Sequence, residues 1–392
     1  MSAVGTLGHF IAINKFGPSF IITIGIITEW LPKLLFYLVS GRITNRLGFK
    51  STILITEFVK TITSLLIALL SSLLIVSDEY RLNIFYYLMI STNLAIYQMA
   101  SALTNVAFET EVYYEEKEQS YKKVLSYAGL MRSEIVPSIL FVPIIVFIAK
   151  DPIFIFYIGF LAHLSAFFYS KFTFMQIERA KVYSNLMDFR LDIIDGIKCI
   201  FKTIQIRILA ILGVITTTYA LTFSKISQTI FHFDNVLISQ KMYVYSRSFS
   251  LAFVFFWSIY FSKKLLIKNN IESIIIKIHV IIIFTFLALL TVYQSYFNKS
   301  SFIFLVLCGL LLSVSENVFR IWQRSERQRH MDNQKRTHMT GIIISMESFG
   351  IIIGSLLLVF SGQSPKLFFS IFFTLFVVVL YYYKYTQKKV KQ

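Results

Sequence analysis

Residues 40–51, SGRITNRLGFKS, set three cations and two glycines between two long apolar stretches. This pattern reads as a cytosolic hairpin between two membrane-spanning helices. Gly41 and Gly48 suit close helix packing and a turn that needs positive φ. Arg42, Arg46 and Lys50 cannot enter lipid, so they hold both helix ends on one side of the membrane.

The composition agrees with that reading. The 392 residues are 56% hydrophobic and 15% charged and include 40 Phe, a balance that turns apolar surface toward lipid rather than into one large soluble core. The formal charge of +17 is spread over short loops, with no basic stripe carrying interleaved aromatics, so nucleic acid is not an expected partner. Cys199 falls in an expected cytosolic segment and Cys308 in an apolar one, which argues against a disulfide, and no metal-ligand spacing occurs. No charged region, apolar run and small-residue cleavage site open the chain, so the first helices are expected to direct insertion.

Apolar stretches lie at about 19–40, 51–76, 82–108, 124–149, 153–172, 208–231, 242–262, 271–294, 301–322, 339–361 and 367–385. Residues 1–14 are apolar but shorter than the ~20 residues a spanning helix needs, and are read as a short first helix. The expectation is twelve helices in an all-α polytopic membrane protein. Counted with the amino terminus inside, the cytosolic loops and tail hold 26 Lys and Arg and the opposite loops six. Both termini are therefore expected in the cytosol.

The longest loop divides the chain into a bundle over 1–173, a linker over 174–206 and a bundle over 207–392. Within the linker, Leu186, Phe189, Ile193, Ile197, Ile200 and Ile204 recur at near-helical spacing with Asp and Lys between them. That is the pattern of an amphipathic helix on the inner membrane face, with a plain linker as the alternative. A shift of 222 residues lays residues 260–264, YFSKK, beside residues 38–42, LVSGR, a faint repeat of the kind secondary transporters carry.

The turn also resembles a signature of the major facilitator superfamily, roughly G-x-x-x-D-R-x-G-R-K after the second helix. Gly41, Arg46, Gly48 and Lys50 match it, with Asn45 in place of the usual acid and Phe49 in place of the usual arginine. The resemblance spans nearly the whole chain and implies two six-helix bundles with a cytosolic gate at Gly41, Arg42, Asn45, Arg46, Gly48 and Lys50. The ITEWLP stretch, the DIIDGIKCIFK segment and the basic loop after the tenth helix are similar to the drug and siderophore export branch, which includes macrolide efflux pumps. Pro137, eight residues after Gly129, falls near the Gly-Pro kink of exporters in that superfamily.

A charge at mid-bilayer costs roughly 2.5–3.5 kcal/mol on insertion scales, so each one needs a partner, an aqueous cavity or a route to the interface. Glu29 and Lys33 stand one turn apart and face one direction. Arg132 and Glu134, two residues apart, face different directions. Glu316, Glu347, Lys225 and Arg247 complete the set on helices that the resemblance places around the cavity and the bundle interface. Glu57 and Lys60 fall on an outer helix and are expected to pair at i, i+3. Lys277 and His279 fall on another.

The substrate-binding set expected from these residues is Lys33, Arg132, Tyr219, Lys225, Arg247 and Trp257. The proton-coupling set is Glu134, Glu29, Glu316 and Glu347. No Walker loop, G-x-S-x-G, H-E-x-x-H or Cys/His cluster appears, so neither an enzyme nor a cofactor is expected. An ion gradient would supply the energy, with protons and a small molecule as ligands of a monomer in the cell membrane. The favoured cargo is an amphipathic anion or zwitterion such as a carboxylate siderophore, and the alternative is a macrolide or multidrug substrate. Nutrient import, or a non-transporting receptor or immunity protein that keeps the fold, are the competing classes.

Overall fold

A computed structural model of the chain describes residues 28, 30–77, 79–115, 153–173, 189–230, 319–320, 322–331, 335–360 and 365–391. Every regular element among them is helical: α1 (Leu31–Leu47), α2 (Phe49–Val76), α3 (Tyr80–Glu115), α4 (Ile153–Thr173), α5 (Phe189–Lys202), α6 (Ile204–Ile230), α7 (Arg336–Phe360) and α8 (Pro365–Lys391). A further helical run covers 322–330. The expected first helix, and those over 124–149, 242–262 and 271–294, lie outside the described residues.

Proline opens α1 and α8 within the first turn, where its missing N–H would have had no helical partner. On α2 the usual amphipathic order is reversed. Ile55, Phe58, Ile62, Leu66, Leu69 and Leu73 form an exposed stripe at helical spacing, whereas Thr52, Thr56, Glu57, Lys60, Thr63 and Ser64 are buried. An apolar outside over a polar inside is stable where the solvent is lipid. The buried hydroxyls are satisfied within the helix, as in the bond from Thr56 Oγ1 to Thr52 O at 2.8 Å and from Thr61 Oγ1 to Glu57 O at 2.8 Å. The segments Phe49–Leu74 and Arg336–Gly354 are long and apolar enough to cross a membrane.

Several helices outrun their apolar stretches. The hairpin expected over 41–50 contracts to Gly48, because α1 continues to Leu47 and α2 begins at Phe49. The stretch expected to be loop from 109 is helical through Glu115, the loop expected over 320–338 is helical over 322–330 and again from Arg336, and α8 runs through the basic tail to Lys391. Backbone hydrogen bonding carries a helix past the point where its side chains turn polar.

The chain divides into two compact units. The first comprises Met1–Glu111, Met131–Ile197 and Asn333–Phe349. Here α2 packs along α4, and Tyr37, Ala102, Val106 and Ile344 share a small core. The second comprises Val112–Leu130, Lys198–Asp332 and Gly350–Gln392. Here α6 packs on α8, and Phe319 lies 5.3 Å from Trp322 and 5.4 Å from Phe376 by ring centroids. Gln323 Nε2 ties its helix to α6 by donating to Leu209 O at 2.6 Å.

Candidate functional site

The turn expected to form a cytosolic gate is built around glycine. Gly48 has φ 79° and ψ 160°, a region essentially reserved for glycine, and its N–H closes α1 on Thr44 O at 2.9 Å. Gly41 serves a different purpose. A Cβ there would stand 2.7 Å from His338 Cα and 2.8 Å from Thr337 O, so the backbones of α1 and α7 touch. Gly341 returns the contact from α7, where a Cβ would meet Tyr37 O at 2.5 Å, and Ser345 Oγ donates to Leu34 O at 3.0 Å. Arg42 is buried, Asn45, Arg46 and Lys50 are half-buried, and the three cations are all engaged with neighbours.

Among the expected substrate and proton residues, Lys33 is half-buried and its Nζ lies 4.7 Å from the centre of the Trp30 ring, a cation–π contact. Its expected partner Glu29 lies outside the described residues. Glu347 is buried on α7 and engaged with its surroundings. Tyr219 and Lys225 fall on the backbone of α6. Arg132, Glu134, Arg247, Trp257 and Glu316 lie outside the described residues.

Glu57 and Lys60 pair as their spacing predicts, Nζ to Oε1 at 2.6 Å, with both residues buried. Two partners were not evident in the sequence. His163 on α4 points Nδ1 at Glu57 Oε2 from 3.7 Å, and Tyr97 on α3 places its hydroxyl 3.0 Å from His163 Nε2. The one signal was a lone His in the apolar run IGFLAHLSAFF. Thr104 Oγ1 donates to Thr56 Oγ1 at 2.8 Å and Asn105 Nδ2 to Tyr37 Oη at 2.8 Å, which continues the polar seam from α2 through α3 to α1.

No family model matches the chain, and no curated protein matches it in sequence. Solved structures do. A bacterial homologue of the iron transporter ferroportin, in its outward-facing state, superposes with a TM-score of 0.68 at 12% identity over 97% of this chain and 96% of that one. The major facilitator superfamily proton:xylose symporter XylE, bound to 6-bromo-6-deoxy-D-glucose, gives 0.66 at 9% identity over 96% and 92%. This chain has the major facilitator fold. A mutant of the nucleoside transporter NupG adds the same result, 0.63 at 14% identity over 97% and 94%. The major facilitator fold is an all-α, twelve-helix membrane architecture, and the agreement in length means that this chain spans it nearly end to end.

Proposed function

We propose that the chain is a major facilitator superfamily member acting as a secondary transporter, a proton-coupled exporter of an amphipathic anionic or zwitterionic small molecule. The observation that supports a transporter is the whole-length likeness to a homologue of an iron transporter, a nucleoside transporter and a xylose symporter. Support for the cargo comes from charge. Lys33, Arg132, Lys225 and Arg247 fall on stretches that the sequence resemblance assigns to the cavity and bundle-interface helices, and fixed cations in a low-dielectric cavity favour a carboxylate over a cationic drug. A carboxylate siderophore is the leading substrate, ahead of a macrolide.

In this reading the bundles over 1–173 and 207–392 alternate access, with both termini in the cytosol of a monomer. A cavity carboxylate, Glu134 first and Glu29 second, exchanges a proton as the cavity changes sides. Nutrient import is the second reading, favoured by the likeness to a proton:xylose symporter. Flux into inside-out vesicles across a panel of siderophores and macrolides separates the classes. An exporter accumulates a substrate when the lumen is acidified, an importer empties preloaded vesicles, and a receptor does neither. Absence of movement for the whole panel in vesicles that hold the folded protein overturns the proposal.

A further inference from the structure

Glu57, Lys60, Tyr97 and His163 form a buried cluster that the cavity chemistry does not use. Their residue exposures are 8%, 6%, 5% and 2%. Glu57 lies eight residues into α2, roughly 12 Å from its start, and His163 ten residues before the end of α4, roughly 15 Å, so both sit well inside their helices. The Glu57–Lys60 pair is electrically complete at 2.6 Å. Structure alone does not call for a third titratable group there, since an apolar side chain would fill the space without the cost of burying an imidazole.

The contacts of His163 define a chemistry. Nε2 is 3.0 Å from the Tyr97 hydroxyl, a group that donates or accepts, and the ring of Tyr97 meets the imidazole edge-on with centroids 5.3 Å apart. Nδ1 has no hydrogen-bond partner among the described residues, and a carboxylate oxygen waits 3.7 Å away. That separation is too long for a hydrogen bond but short for Coulomb attraction in a poorly screened interior.

We propose that this cluster is a proton-binding site in which His163 takes up and releases one proton. In the neutral state Tyr97 donates to Nε2, and the ring's own hydrogen sits on Nδ1 facing Glu57. A proton arriving from water binds Nε2, which then donates to the Tyr97 oxygen. The N–H on Nδ1, now part of an imidazolium, closes on Glu57 Oε2. The charge of the cluster rises from zero to plus one, and release to water reverses each step. Glu57 then has a cationic partner on α2, Lys60, and another on α4, so proton uptake draws α4 toward α2. Among the described residues, the charged and titratable groups facing the imidazole are Glu57 and Lys60 from α2 and Tyr97 from α3.

This deepens the proton-coupled reading and rests on it for the use of the proton, but the binding step is testable without any substrate. The full-length protein, labelled with ¹⁵N-histidine and held in lipid nanodiscs, is followed by solid-state NMR from pH 5 to pH 9. The signals lost in His163→Gln identify the residue. Tyr97→Phe, which keeps the ring and removes one hydroxyl, identifies the same signals by their displacement if the first variant fails to fold. The expected result is a reversible change of His163 from neutral imidazole to imidazolium within that range. In Glu57→Gln the imidazolium population at pH 6 should fall at least tenfold. A His163 that stays neutral throughout, or that titrates unchanged in Glu57→Gln, overturns the proposal. Vesicle flux indifferent to a proton gradient would instead overturn the coupling reading and leave the titration of His163 as measured.

Discussion

The glycines at and beside the gate turn make opposite demands, and substitution tells them apart. At Gly48 nothing lies within 4 Å of a built Cβ, so Gly48→Ala meets only the backbone penalty of its φ, about 1–3 kcal/mol. At Gly341 the Cβ would enter the carbonyl of Tyr37, so Gly341→Ala must push α1 and α7 apart. Both variants should lower the thermal unfolding midpoint of the purified protein. Only Gly341→Ala should change the yield of a disulfide engineered through Ser40→Cys on α1 and Thr337→Cys on α7, read by peptide mass spectrometry; equal yields in both would refute the distinction. The role of Gly48 was legible because a glycine between two apolar helices has few other uses. The partner of Gly41 was not, since residues 41 and 338 meet only through tertiary packing. His163 was hidden for the same reason: its polar neighbours come from α2 and α3. The cationic set makes its own prediction. In the proposed reading, where these cations meet the carboxylate of the cargo, Arg132→Ala or Arg247→Ala should reduce siderophore flux about tenfold or more with protein still in the membrane, since a hydrogen bond to a charged group contributes about 1.5–3 kcal/mol. Unchanged flux in both removes the case for an anionic cargo.

Among the elements, α5 shows what periodicity can and cannot say. Its spacing predicted an amphipathic helix over the linker, and a helix is found over Phe189–Lys202, bent by 104° from α6. Gly196 packs toward His338 and Ile342 of α7, whereas Ile197, Lys198, Phe201 and Lys202 are exposed. Apolar and cationic side chains exposed together suit a membrane surface, where the rings and aliphatic chains enter the headgroup boundary and the ammonium groups stay at the phosphates. A nitroxide at Phe201 should therefore relax faster with lipid-soluble oxygen than with a water-soluble nickel chelate in liposomes. The reverse order would show α5 to be a solvated linker. Helix ends were the least legible feature. Hydropathy falls at the first charges, but α3 continues to Glu115 and α8 to Lys391, because a helix outside lipid needs only its own hydrogen bonds and water for the side chains.

For the whole molecule, the fold was legible in pattern and almost absent from residue identity, which is 9–14% against the structures compared above. Repeating apolar stretches and a 26-to-6 division of Lys and Arg carry the architecture, because lipid constrains every span alike and the charge bias constrains every loop. Substrate chemistry has no such global rule and depends on a few side chains that no pattern names. The orientation drawn from the charge division makes a direct prediction in a background where Cys199 and Cys308 are replaced by Ser. A membrane-impermeant maleimide applied to intact cells should label Ser295→Cys, in a loop holding Lys299 as its one cation, and leave Asn269→Cys unlabelled until the membrane is opened. Asn269 follows Lys263, Lys264 and Lys268, and carrying three cations across the bilayer during insertion is opposed by the same bias from which Arg42, Arg46 and Lys50 are expected inside. Labelling of Asn269→Cys from outside, with none at Ser295→Cys, would invert the whole molecule. The turn at Gly48 would then face the exterior, and the cytosolic gate that the resemblance implies would fall with the topology.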